Sequence, residues 1–207
     1  MIKKPIIFFL GKSGSGKDTQ AEILIQKFGF DFISTGQLLR DFKNRSKDFP
    51  KDSIERYEAD RVAHILDEGK FTPTLTVACQ WRFAALEVLK NFAKTSGLVF
   101  VGSPRKLGEA MILDDFFEYW PEAQEHFSVK PIELSISDEE AKKRLFTRGR
   151  EDDKENAIQN RLNEFQEFVL PVINYFKESG RLLTVNGEQS VDDVQKSVLK
   201  VLELDIS

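Results

Sequence analysis

Between residues 11 and 19 the chain reads Gly11-Lys12-Ser13-Gly14-Ser15-Gly16-Lys17-Asp18-Thr19. Its glycines and serines let successive backbone N–H groups curve around a phosphate with no Cβ in the way. An apolar run precedes this segment and a helical pattern follows it, so the positive end of a helix falls at the same point. Lys17 adds a mobile cation for the outer phosphates of a nucleotide. The spacing Gly-x4-Gly-Lys is that of the Walker A pattern, except that Asp18 stands where Ser or Thr is usual. The plain alternative is a glycine-rich turn that binds nothing. The strand before it, the helix after it and the lysine in register argue against that.

A second concentration of chemistry is basic. Arg144 and Arg148 are four apart, on one face of a helical segment, beside a turn carrying Arg150, and Arg161 follows. The guanidinium fork grips phosphate bidentately and keeps its charge, which suits it to phosphoryl transfer, where the protein mainly positions and neutralises. The competing reading is a solvated basic face paired with Asp152, Asp153 and Glu155. Other titratable residues read as structural. His64 and His126 fit surface or packing roles, Cys79 fits the core, and Asp114 with Asp115 fits a solvated face.

The elements that must position these groups alternate along the chain. Ile6–Leu10, Leu98–Gly102, Ile132–Ile136 and Leu182–Val185 are short apolar runs suited to strands buried on both faces, with Asp31–Ser34 as a shorter fifth. Helical spacing occupies Asp18–Phe28, Leu38–Lys43, Ser53–Glu68, Leu75–Thr95, Asp138–Thr147, Asn156–Glu178 and Val191–Leu202. Such alternation predicts an α/β fold whose parallel sheet is covered on both faces, with ligands at the carboxyl ends of the strands. Thr35 to Thr72 is too long for a plain crossover and reads as a small, mobile helical subdomain. Gly149–Asp153 reads as a short charged turn between helices.

Composition narrows the class. A length of 207 residues suits one domain with a sizeable core. Eighteen Phe, against 3 Tyr and 2 Trp, imply a core filled with aromatic bulk. A net charge of -4 provides no global field for a nucleic-acid backbone, so an anionic ligand must be held by local clusters. One Cys cannot close an internal disulfide, and with 2 His it cannot complete a four-ligand zinc site. A reducing, cytoplasmic setting is the expectation. The first apolar run is too short for a signal core or a membrane span.

Four ordered segments resemble those of the adenylate kinase family. Gly14-Ser15-Gly16-Lys17-Asp18-Thr19-Gln20 is similar to GSGKGTQ, and Ser34-Thr35-Gly36-Gln37-Leu38-Leu39-Arg40 to STGD-x-LR. Gly102-Ser103-Pro104-Arg105 is similar to DGFPR. The stretch from Arg144 through Asp153 to Arg161-Leu162 is similar to RLLKRG…GR-x-DD…RL. The resemblance implies a P-loop kinase fold with a central five-stranded parallel sheet. Its core would be residues 1–34, 73–147 and 154–207, its monophosphate-binding insert about 35–72 and its short lid about 148–153. It implies magnesium-dependent, reversible transfer from ATP to a nucleoside monophosphate, foremost AMP, giving two ADP. A kinase for another monophosphate such as GMP, and a nucleotide-binding protein with little turnover, are the alternatives. A monomer with small-molecule nucleotides as partners, and neither nucleic acid nor membrane, completes the expectation.

Carried over residue by residue, Gly14, Ser15, Gly16, Lys17, Asp18 and Thr19 would cradle the donor phosphates. Arg144, Arg148 and the backbone near Gln189 would contact the ATP side. Thr35, Arg40, Gly102, Arg105, Glu109 and the segment Lys70, Phe71, Thr72 would hold the monophosphate, with Arg150 and Arg161 closing over the transferring group. Lys17, Arg105, Arg148, Arg150 and Arg161 would form the catalytic set. Four positions that bear on the chemistry depart from the family pattern. Gln37 and Val101 replace two Asp residues that help to hold the waters around magnesium. Asp18 replaces a Gly, either as a substitute magnesium anchor or as a first-turn acid favoured by the helix dipole. Glu109 replaces a Gln that reads the adenine edge; an ionised Glu only accepts hydrogen bonds, so it would alter base choice or else face solvent.

Overall fold

The short apolar runs pair as a single parallel sheet in the order β2-β3-β1-β4-β5. The computed structural model describes residues 3–68, 70–148 and 155–204. The strands are β1 (Lys4–Leu10), β2 (Asp31–Ser34), β3 (Leu98–Val101), β4 (Phe127–Ser135) and β5 (Leu183–Asn186). β1 sits in the middle, with Phe8 level with Phe100 on one side and Pro131 on the other. Because side chains alternate along a strand, β1 feeds two cores. Ile6, Phe8 and Leu10 enter one cluster with Leu89, Leu113 and Phe176, while Ile7 and Phe9 enter the other with Leu24, Val185 and Val198. The first core is the aromatic one. Phe8 meets Phe100 edge-on at 5.4 Å, and Trp81 meets Phe100 at 5.7 Å and Phe116 at 5.0 Å.

The helices are α1 (Lys17–Phe28), α2 (Thr35–Asn44), α3 (Ile54–Asp67), α4 (Thr74–Lys90), α5 (Leu107–Tyr119), α6 (Pro121–His126), α7 (Asp138–Arg148), α8 (Glu155–Glu164), α9 (Leu170–Glu178) and α10 (Val191–Val201). α1 and α10 cover one face of the sheet. α4, α5 and α9 cover the other. α2 and α3 lie within the segment 35–72. Their buried Leu39 and Val62 belong to the same aromatic core as Phe8, so this segment is packed onto the body.

The structure differs from the sequence reading in several places. α5 and α6 are additional to the predicted helices. Their signal was present in the apolar spacing of Ala110, Leu113 and Phe117, and in Pro121 at a helix start. β4 begins five residues before Ile132, and the predicted helix to Thr95 ends at Lys90, followed by a 3-10 turn at Phe92–Lys94. The segment Asn156–Glu178 is not one regular helix. Pro171 has no N–H to offer Glu167, and just before it the helix widens into a π turn, Phe165–Val169, in which the Leu170 N–H reaches back to Phe165 O. Asp114 is not a solvated acid. It receives Arg181 Nη1 and Nη2 at 3.0 and 2.5 Å and the Tyr175 hydroxyl at 2.7 Å, tying α5 to α9 and to the residues just after it. His126 stacks flat on Phe92 at 3.8 Å and fills the packing role expected of it.

β1 leaves the sheet through Gly11, whose φ is +131°. A Cβ there would lie 2.5 Å from Leu134 O, so both conformation and space require glycine. Gly11→Ala is therefore expected to destabilise the fold by about 1–3 kcal/mol and lower Tm by roughly 2–10 °C. Calorimetry of the variant against the parent measures this.

Candidate active site

Gly16 opens α1 in the left-handed conformation and, lacking a side chain, leaves the first-turn N–H groups without a side-chain cap. N–H groups free at a helix start, with the positive end of the helix dipole behind them, are able to receive an anion. Lys17 folds back over the loop. Its Nζ donates to Gly11 O at 2.8 Å, Lys12 O at 2.7 Å and, more weakly, Ser15 Oγ at 3.4 Å. Burial pushes the Lys17 ammonium down from its ordinary value to about 8; the Asp18 carboxylate opposes the shift and the Arg105 guanidinium adds to it. The other loop lysine is engaged elsewhere. Lys12 is bonded to Asp138 at 2.6 Å and Ile136 O at 2.8 Å, which ties the loop to the start of α7. Gly14 packs under the same helix, 3.4 Å from Ala141 O measured from an ideal Cβ.

The loop is one wall of a cleft of about 790 Å³ at the carboxyl ends of β1 and β3. Of the residues singled out in the sequence, the cleft is lined by Gly14, Gly16, Lys17, Asp18, Thr19, Lys70, Phe71, Gly102, Arg105, Arg144 and Arg161. Arg105 reaches it from the loop after β3, lying over the Phe71 ring at 5.4 Å. Arg144, on α7, bonds Glu140 at 2.7 Å and Gly14 O at 3.4 Å. Arg161 enters from α8. The cleft also contains residues that motif reasoning passed over. Glu22 lies one turn after Asp18 on α1, a pairing its i, i+4 spacing could have flagged. Glu164, Phe165 and Val169 arrive through the π turn, which sequence spacing does not announce.

The remaining expected residues stand around the cleft and outside its lining. Ser15 is buried in the loop. Thr35 is buried and donates to Val101 O at 3.3 Å, and Arg40 donates to Gln37 Oε1 at 2.8 Å. Thr72 is buried, its carbonyl accepting from Lys106 Nζ at 3.1 Å. Gln189 follows a turn that packs on the loop, since Gly187 sits 3.3 Å from Ser15 O measured from an ideal Cβ. Glu109 does not face solvent. It is 5% exposed, and its Oε2 is engaged within the protein by Ser103 Oγ and the Arg105 N–H, each at 2.8 Å. Arg150 and the rest of the expected lid turn, Gly149–Asp153, lie outside the described residues, as does the side chain of Arg148.

A glycine-rich loop facing arginines across a cleft suits a phosphate-bearing ligand, and comparison with known proteins shows the family. The model of the family described as adenylate kinase matches residues 9–181. The chain belongs to the adenylate kinase family. Adenylate kinase 1 of a Nostoc species is 30% identical over 188 residues, which is 91% of this chain and 93% of that protein. Adenylate kinase isoenzyme 1 of Caenorhabditis elegans is 30% identical over 203 residues, 96% of this chain and 88% of that protein. An adenylate kinase of Leptospira biflexa is 30% identical over 199 residues, covering 94% and 97%.

The chain is thus a nucleoside-monophosphate kinase of that family, whose reaction is ATP-dependent phosphoryl transfer to AMP. Another monophosphate as acceptor, or a binding protein without turnover, is not favoured. Among the described residues, no helix is long and apolar enough to cross a membrane.

The state of Lys17 gives the chain a pH signature. With a free-state pKa of about 8, the ammonium is half-charged near pH 8, gains charge below that pH and loses it above. A bound phosphate favours the charged form and raises that pKa, so binding takes up a proton above pH 8. ATP affinity is expected to fall by up to about tenfold per pH unit as pH rises past 8, within the window that the bound-state pKa sets. Titration calorimetry at pH 7 and 9, in buffers of different ionisation enthalpy, measures both the fall and the proton uptake.

Proposed function

We propose that the cleft holds ATP and AMP end to end, with donor phosphates in the loop Gly14–Thr19 and the acceptor phosphate against Arg105. The observation that carries this reading is that Arg105 and Arg161, which belong to distant segments, line the same cleft as Lys17. The donor side is completed by Arg144 and by the backbone near Gln189. The acceptor side is completed by Thr35, Arg40, Gly102 and the segment Lys70 to Thr72. Arg148 and Arg150 serve as lid residues that close with Arg161 over the group in transfer.

The chemistry asked of these residues is mostly electrostatic. The transferring phosphoryl group spreads charge over its equatorial oxygens, and the guanidinium groups with Lys17 neutralise it. The ammonium exchanges its weakest contact, the 3.4 Å bond to Ser15 Oγ, for a phosphate oxygen while keeping the two carbonyls that aim it. Phe71, Phe165 and Val169 give the cleft apolar walls that help to exclude water, so that ATP is not hydrolysed instead.

Magnesium is the cofactor of this reading. Among the described residues no group of three or more His, Cys, Asp or Glu could hold a metal by itself. That suits a cation bound through one or two carboxylates, water and substrate phosphates. Gln37 is engaged with Arg40 and Asp41, and Val101 has no acid to offer. Asp18, with Glu22 one turn on, supplies carboxylates beside the phosphate loop and would hold the ion or its waters. When bound, the ion would neutralise charge on the donor phosphates.

A coupled assay with ATP, magnesium and AMP tests the proposal. Lys17→Met is expected to lower kcat about 100-fold or more with the circular dichroism spectrum unchanged. Asp18→Asn is expected to raise the magnesium concentration for half-maximal activity ~10-fold. An unchanged magnesium dependence would leave Asp18 only its helix-dipole role.

A further inference from the structure

Glu109, in the first turn of α5, is almost completely buried. Both donors to its Oε2 come from one five-residue loop between β3 and α5: Ser103 Oγ and the backbone N–H of Arg105, each at 2.8 Å. A buried carboxylate is tolerated only with hydrogen-bond partners, and such charge-assisted bonds are the stronger kind. The loop they fix carries Arg105 into the cleft. Gly102, at φ +83°, lets the guanidinium lie close, with Nη2 3.4 Å from an ideal Cβ there, and Phe71 supports it from the other side. Ser103 falls where the family motif DGFPR has Phe, and Glu109 where the family has the base-reading Gln. These two departures are bonded to each other.

We propose that Glu109 is a positioning residue for Arg105, and that the Ser103–Glu109 pair is a strut under the acceptor-phosphate loop in place of a base-reading contact. The proposal rests on the reading of Arg105 as the acceptor-phosphate contact. Anchoring the arginine's backbone matters because a bidentate grip depends on where its Cα stands, and small misplacements cost rate steeply. The adenine edge is then left to groups other than residue 109.

Steady-state kinetics of Glu109→Ala, Glu109→Gln, Ser103→Ala and Arg105→Ala, varying AMP and ATP in turn, test this. Glu109→Ala is expected to raise the KM for AMP roughly ten- to a hundredfold and to move the KM for ATP less than about twofold. Glu109→Gln restores most of the loss, because its amide oxygen can accept from the same two donors. Ser103→Ala, a small change that does not depend on the other variant folding, gives roughly a two- to tenfold rise for AMP alone. In an Arg105→Ala background, Glu109→Ala adds less than about twofold, since it acts through that arginine.

The proposal is overturned if Ser103→Ala has the parent's KM for AMP, if the Glu109→Ala loss persists undiminished without Arg105, or if Glu109→Gln changes the ratio of kcat/KM for AMP over GMP. An Arg105→Ala enzyme with the parent's KM for AMP would instead sink the acceptor-site reading on which the strut depends. A defect in Arg105→Ala alone, with Glu109→Ala unaffected, rejects the strut and leaves that reading standing.

Discussion

The structure is organised around positive charge gathered where water cannot fully screen it. Lys17 is held against the carbonyls of Gly11 and Lys12, with its ammonium destabilised by burial and by Arg105 across the cleft. The neighbouring helix start is uncapped, so its N–H groups add to the same field. An anion relieves this arrangement, and two nucleotides bring several. The rest of the fold can be understood as what holds these cations in place against their mutual repulsion. Gly11 lets the loop turn against Leu134, Lys12 ties it to Asp138, and Gly14 admits α7.

α5 shows how the same fold separates support from chemistry. At its first turn Glu109 holds the loop that carries Arg105. Farther along, Leu113 and Phe117 enter the aromatic core, and Asp114 is clamped by Arg181 and Tyr175. A helix anchored along its length transmits little play to the arginine at its start. The π turn at Phe165–Val169 does a comparable service opposite. It redirects the chain between α8 and α9, so that Arg161 and Phe165 face one cleft while Val172 and Phe176 remain in the core.

The departures from the family pattern also become intelligible as local exchanges. Where the family pattern has an acid, Gln37 instead bridges Arg40 and Asp41 on the surface of α2. Two acids near the loop, Asp18 and Glu22, line the cleft from α1. Ser103 and Glu109 form a bonded pair within the body. Gln37 and the Ser103–Glu109 pair each bond a polar partner a few residues away.

Much of this was legible in the chain itself. Five strands, the parallel sheet, the phosphate loop and the arginines of the cleft follow from local patterns: apolar runs of strand length, glycines before a lysine, and ordered motifs. Those signals survive in sequence because each depends on neighbours within one or two turns. α5 was missed, although the spacing of Ala110, Leu113 and Phe117 carried its signal. What only the tertiary structure decided were pairings across distance or buried choices of direction. Asp114 looked solvated until Arg181 was folded against it, and Glu109 had two open orientations until Ser103 and the Arg105 N–H arrived beside it. A carboxylate's role is set by which donors surround it when water is withdrawn, and that company is assembled by packing, not by spacing along the chain.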